Sequence, residues 1–194
     1  TLCERTFAPW PDMEKAMREE GVPLWSVDSF LPLTEFDVIG FTLQYELHYT
    51  TVLNMLDLAG IPFNSEERDN SFPLILGGGA SCINPEPVAD FFDAILLGDG
   101  EEAFPEILDV VERCNRSGAS RFDTLRELTA VEGMYIPSFY RPEYTPEGSF
   151  AGMRALHGAP FPIRSRIVER LEPRYYPDRP IVPLTEVVHD RLSV

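Results

Sequence analysis

Three cysteines, Cys3, Cys82 and Cys114, and three histidines, His48, His157 and His189, are the residues on which metal or thiol chemistry could be built. The cysteines are far apart and odd in number, so neither a disulfide framework nor a zinc or iron-sulfur site can be assembled from them alone. They read as small buried hydrophobes or free thiols. Each histidine stands without a second ligand-type residue at metal spacing and reads as a structural or surface residue. Ser81 lies outside any G-x-S-x-G elbow and has no histidine nearby in sequence. The carboxylates are numerous, but most fall at helix starts or on polar faces, where solvation and the helix dipole account for them. No complete catalytic constellation emerges.

Binding is better represented than catalysis. Three strand-to-helix junctions are unusual: Thr42-Leu43-Gln44, Gly77-Gly78-Gly79-Ala80-Ser81, and Gly98-Asp99-Gly100-Glu101. In open parallel sheets, ligands bind beyond the carboxyl ends of the strands, and glycine there allows positive φ and close backbone approach. The same loops also read as tight turns and nothing more. Gly98 to Ala103 formally fits G-x-G-x-x-A, a dinucleotide fingerprint. Glu101 and Glu102 argue against it, because their carboxylates occupy the helix N-terminus and would repel a pyrophosphate. No G-K-[ST] follows the triple glycine, so it is not a P-loop.

The elements that must position these loops alternate between strand and helix up to about residue 114, the signature of βαβ units. Strands are expected at 5–8, 38–43, 73–76 and 94–97. The run at 38–43 is apolar throughout, as a strand covered on both faces requires. A first helix begins at Pro11, with Asp12 and Glu14 in its first turn, and stops at Gly21. A second carries Tyr49, Val52, Leu53 and Leu56 at i, i+3, i+4 and i+7 and ends at Gly60; a third sets Phe104, Ile107, Leu108 and Val111 on one stripe. Residues 122–129 form a further candidate helix. The runs at 134–140, 144–151 and 164–168 are short, β-like and broken by Pro and Gly, which suggests a hairpin appendage. Pro173, Pro177, Pro180 and Pro183 favour an extended connector. The expected fold is α/β, a mostly parallel open sheet with helices on both faces, plus a small β-rich appendage. The expected boundaries are an α/β domain over 1–118, an α+β appendage over 119–170 and a connector over 171–194.

Composition narrows the partners. With 44% hydrophobic residues, the 194-residue chain can bury a real core. Thirty-two acidic against 16 basic side chains give a net charge of -16, which would repel a phosphate backbone, so direct nucleic-acid binding is not expected. No apolar run approaches the roughly 20 residues that span a bilayer. No basic region followed by an apolar stretch opens the chain, and a cytoplasmic location without membrane contact is expected.

Taken together, segments 40–62, 73–108 and 179–194 resemble a radical SAM protein family, and more closely its members that carry a cobalamin-binding-type, Rossmann- or flavodoxin-like domain in front of the barrel. The most specific part is the glycine-rich strand end Gly77, Gly78, Gly79 followed by Asn84-Pro85-Glu86-Pro87 and then Gly98-Asp99-Gly100-Glu101. The resemblance implies a parent enzyme whose [4Fe-4S] cluster and S-adenosylmethionine site lie in a barrel beyond this chain, with that barrel as the partner. It implies that a first strand, loop and helix precede Thr1. It also implies cobalamin as the candidate cofactor here, near Thr42, Leu43, Gln44, Gly77, Gly78, Gly79, Ala80, Gly98, Asp99, Gly100 and Glu101. No D-x-H-x-x-G occurs, so no histidine is offered as a lower cobalt ligand.

Three functional readings follow. One is an accessory domain that positions cobalamin, another cofactor or the substrate over a radical SAM barrel. The second is a protein-docking module that uses the acidic surface and holds no small molecule. The third is an independent nucleotide-binding α/β domain.

Overall fold

Strand-forming runs at 38–42, 74–78 and 94–96 line up side by side because each is apolar enough to be buried and the two connections between them are long enough for a parallel return. The computed structural model describes residues 2–176. His189, the segment 179–194 and most of the expected connector lie outside them.

A four-stranded sheet is built from β1 (Val38–Thr42), β2 (Leu74–Gly78), β3 (Ala94–Leu96) and β4 (Met134–Tyr135), in that spatial order. β1, β2 and β3 are parallel, with Val38 opposite Leu74 and Leu76 opposite Ala94. β4 joins antiparallel to β3, with Met134 opposite Leu96. Four helices accompany the sheet: α1 (Pro11–Glu20), α2 (His48–Leu58), α3 (Gly100–Ser117) and α4 (Arg121–Leu128). The expected α/β fold with a mostly parallel sheet is the fold observed. α4 packs against α3, so the candidate helix at 122–129 belongs with the sheet layers.

Side chains of β2 and β3 are buried on both faces. One face carries Ile39, Leu43, Ile75 and Ile95. α1 packs on α2, and its Arg18 reaches Asp57 and Asn54 there. The other face carries Leu76, Ala94 and Leu96 beneath Ile107 of α3. At the amino ends of the strands, the buried carboxylate of Asp93 holds the sheet together. It accepts from the amide of Ile75 (2.7 Å) and from Nη2 of Arg121 (2.7 Å), and Arg68 lies 3.3 Å away with its side chain fully buried.

Beyond the sheet, β5 (Tyr140–Tyr144) and β6 (Phe150–Ala155) form a two-stranded antiparallel hairpin. Two expected strands are absent. Residues 5–8 form no ladder; the Arg5 carbonyl instead accepts from Val27 and its amide donates to Asp28, so local side-chain and loop bonds replace a strand partner. Residues 164–168 make a single bridge, Gly98 to Arg166, and run as a strap across the ends of β3 and β4.

Candidate functional site

Because β1, β2 and β3 are parallel, their carboxyl ends open on one edge, and the three glycine-containing junctions meet there. They border a cleft of about 580 Å³ whose walls include Phe104 and Ile107 of α3 and Met134 of β4. Of the residues singled out from the sequence, Thr42, Gly77, Gly78, Gly79, Gly98, Asp99, Gly100 and Glu101 line this cleft. Leu43 does not: its side chain is buried, and its backbone clamps the junction, donating to the Gly78 carbonyl (2.7 Å) and accepting from the Ser81 amide (3.0 Å). Gln44 and Ala80 are exposed and stand outside the lining. The sequence reading missed Gly40, Leu76, Ala94, Leu96, Phe104 and Met134, which strand alternation and the α3 stripe place on this face.

The glycines of the site serve different ends. A Cβ at Gly77 would meet the Phe92 ring at 3.1 Å, so that glycine makes room for the core. Gly79 has a φ of +109°, and a Cβ there would stand 2.7 Å from the Leu43 carbonyl oxygen, so it permits two loops to cross. Gly78 is unlike both: a Cβ there would meet nothing within 4 Å. Neither the backbone nor the packing requires glycine at 78, and its absent side chain leaves the cleft floor flat.

Charge at the mouth is partly neutralised. Asp99 accepts from the Val168 amide (2.8 Å). Glu102 accepts from Arg166 (2.9 Å) and from the Tyr175 hydroxyl (3.0 Å), and these bonds, the Arg166 one foremost, hold its carboxyl below the usual range. Arg166 also reaches Glu106 at 2.9 Å. Glu101 lines the cleft, so an anionic group entering it meets a carboxylate at the α3 N-terminus. Among the described residues, no three His, Cys, Asp or Glu side chains are grouped to hold a metal ion. No helix among them is long and apolar enough to cross a membrane.

The glycine-floored cleft lies at the carboxyl edge of an open, mostly parallel α/β sheet, the edge at which such sheets bind ligands when they bind them. Residues 1–137 match the family of radical SAM proteins, N-terminal region, and the chain belongs to that family. The matched span contains the whole four-stranded sheet and stops before the β5–β6 hairpin. No curated protein and no solved structure matches the chain.

Proposed function

We propose that this domain is an accessory N-terminal module that holds a ligand, cobalamin or the substrate itself, at the carboxyl edge of its sheet in front of a radical SAM barrel in the same polypeptide. The observation that carries this reading is Gly78, a glycine demanded by neither backbone nor packing, on the floor of a mostly apolar cleft. The strap supports it: it crosses Gly98, and Tyr175 bonds Glu102, so Tyr175 stands beside the cleft mouth.

In this reading the apolar rim of a corrin would lie on Gly78 and Gly79 as floor, between Thr42 and Phe104 as walls, with Gly98 and Gly100 at the mouth. Cobalamin would bring an organometallic cobalt centre, and the cluster and S-adenosylmethionine of the barrel would bring radical initiation. The residues here bind, orient and exclude water.

Titration of hydroxocobalamin into the full-length polypeptide, followed by visible spectrum and calorimetry, tests this. Binding that Gly78→Leu abolishes without loss of fold is expected, and this chain alone should bind more weakly than the full-length protein. No binding by the full-length protein would overturn the cobalamin reading. Exposed Tyr144 and Phe150, 6.2 Å apart between ring centroids on the hairpin, favour protein docking as the second reading. That reading expects hairpin substitutions to matter and Gly78→Leu to be silent.

A further inference from the structure

One wall of the cleft changes character along its length. α3 starts at the carboxyl edge of the sheet and runs back across it, so residues three apart on one face follow each other from the mouth inward. The α3 side chains lining the cleft are Glu101, Phe104 and Ile107: a carboxylate, then an aromatic ring, then an aliphatic group. Ile107 is buried, but Phe104 on the same stripe is 41% exposed. An aromatic face is thus left uncovered one turn inward of a carboxylate, with about 5–6 Å between the two Cβ atoms. Apart from Thr42 and Asp99, the other side chains around the cleft are apolar.

Two electrostatic effects meet at the mouth, and their sizes decide its sign. Asp99 is the N-cap residue of α3 but does not cap it: its carboxylate accepts from the Val168 amide and leaves the first-turn amides alone. Those amides and the helix dipole amount to about half a positive charge. Against it stand the carboxylates of Asp99 and Glu101, one negative charge each, and among the described residues no Lys, Arg or His lines the cleft. Arg166 is shared by Glu102 and Glu106, so its single charge is already outweighed. The mouth is negative in sum, on a chain of net charge -16, and such a field draws cations and turns anions away.

We infer that the cleft takes an amphiphilic organic cation: an apolar body lying over Gly78 beside Ile107, and a protonated amine at the mouth, paired with Glu101 and resting on the Phe104 ring. The inference rests on the reading of this cleft as a ligand site and names the chemistry of the substrate within it. The parts act in concert. Burial of the body removes apolar surface from water, the carboxylate accepts charge-assisted hydrogen bonds, and the ring face attracts the same cation. A phosphate or carboxylate on the same body would instead face Asp99 and Glu101 at like charge. The volume of about 580 Å³ suits a small molecule with a body of one to several rings.

The test is equilibrium dialysis of the full-length polypeptide, at low ionic strength, against three probes that share one ring system and differ in the head group. They are 2-naphthylmethylammonium, 2-naphthylmethanol and 2-naphthoate. The ammonium should bind about tenfold or more tightly than the carboxylate, with the alcohol between them. Glu101→Gln should narrow the ammonium-to-carboxylate ratio at least about threefold and leave the alcohol unchanged. Glu147→Gln, the same charge change on the turn of the β5–β6 hairpin, should leave the ratio as it was. Gly78→Leu should remove all three, with circular dichroism showing each variant folded. If the ammonium and carboxylate bind equally, or if Glu101→Gln narrows their ratio no more than Glu147→Gln does, the inference is overturned; the ligand site itself stands as long as Gly78→Leu removes binding. Binding of none of the probes, or binding that Gly78→Leu leaves intact, removes the ligand site from the cleft and this inference with it.

Discussion

The backbone of Arg166 passes so close to Gly98 that position 98 has no room for even a methyl group. Gly98 sits at a φ of +112°, and a Cβ there would collide with the Arg166 carbonyl oxygen and amide. The Asp99 amide donates to that carbonyl (3.0 Å), and the Arg166 amide donates to Leu97 (2.8 Å). Gly98 is therefore what lets the strap lock the end of β3. Gly98→Ala should lower the unfolding free energy by about 2 kcal/mol or more, since backbone clash and positive φ both act against it. Gly78→Ala should stay within about 0.5 kcal/mol of the parent. Urea unfolding of both variants checks the pair; equal losses would mean that open space at Gly78 was misjudged.

The Arg166 side chain faces Glu102 and Glu106, with Glu132 at 3.8 Å. Glu102 has its pKa lowered chiefly by Arg166. A lowered carboxylate pKa contributes stability that is present above the ordinary carboxylate range and is lost as pH falls through the folded value. Arg166→Met removes the main cause. The parent should lose more stability than the variant on moving from pH 7 to pH 3, read as the shift in urea midpoint. Parallel pH profiles would show that the Arg166–Glu102 bond carries no such dependence.

Much of this architecture was legible in the chain. The apolar runs at 38–43, 73–76 and 94–97 gave three parallel strands, because burial on a sheet demands them, and Pro11 with Gly21 bounded α1. The glycine junctions gave the edge where the cleft lies. What stayed illegible depends on partners distant in sequence. Residues 5–8 look like a strand, but a strand needs a neighbouring strand, and among the described residues none pairs with them. The run 164–168 looks equally β-like, yet meets the sheet only at Gly98. Leu43 was grouped with the cleft because Thr42 beside it lines the cleft; alternation turns Leu43 into the core.

The buried charge cluster was also invisible in the sequence, where Arg68, Asp93 and Arg121 are ordinary surface-type residues. In the fold, Arg121 bonds Asp93 and the carbonyls of Asp69, Phe72 and Pro73, while Arg68 bonds those of Pro62, Phe63 and Phe91. The single carboxylate is shared by two guanidinium groups and also binds the Ile75 amide. Asp93→Ala should cost about 3–5 kcal/mol, because it strands buried charge. Asp93→Asn keeps the shape but not the charge and should recover part of that loss at most. A loss below about 1 kcal/mol for Asp93→Ala, measured by urea unfolding, would mean that water enters and solvates the arginines.

The cysteines give a test that needs no ligand. Cys3 is exposed, whereas Cys82 and Cys114 are buried. Cys82 closes the turn after Gly79, with its amide donating to the Gly79 carbonyl (3.0 Å), and burial pushes its thiol up to about 11. The thiolate is the nucleophile, so a raised pKa and a closed environment both suppress its reaction. With iodoacetamide at pH 8, native protein should be modified at Cys3, with Cys82 and Cys114 reacting only after denaturation. The sign of the linkage follows from the raised value: the folded state holds the Cys82 proton more tightly than the unfolded one. That contribution is fully present below the ordinary thiol range and is lost as pH rises from about 9 towards 11. Cys82→Ala should flatten this alkaline loss while creating a small cavity beneath the Gly79 turn. Peptide mapping of the alkylated protein reads the outcome, and modification of Cys82 at the rate of Cys3 would show that the junction beside the cleft opens in the native state.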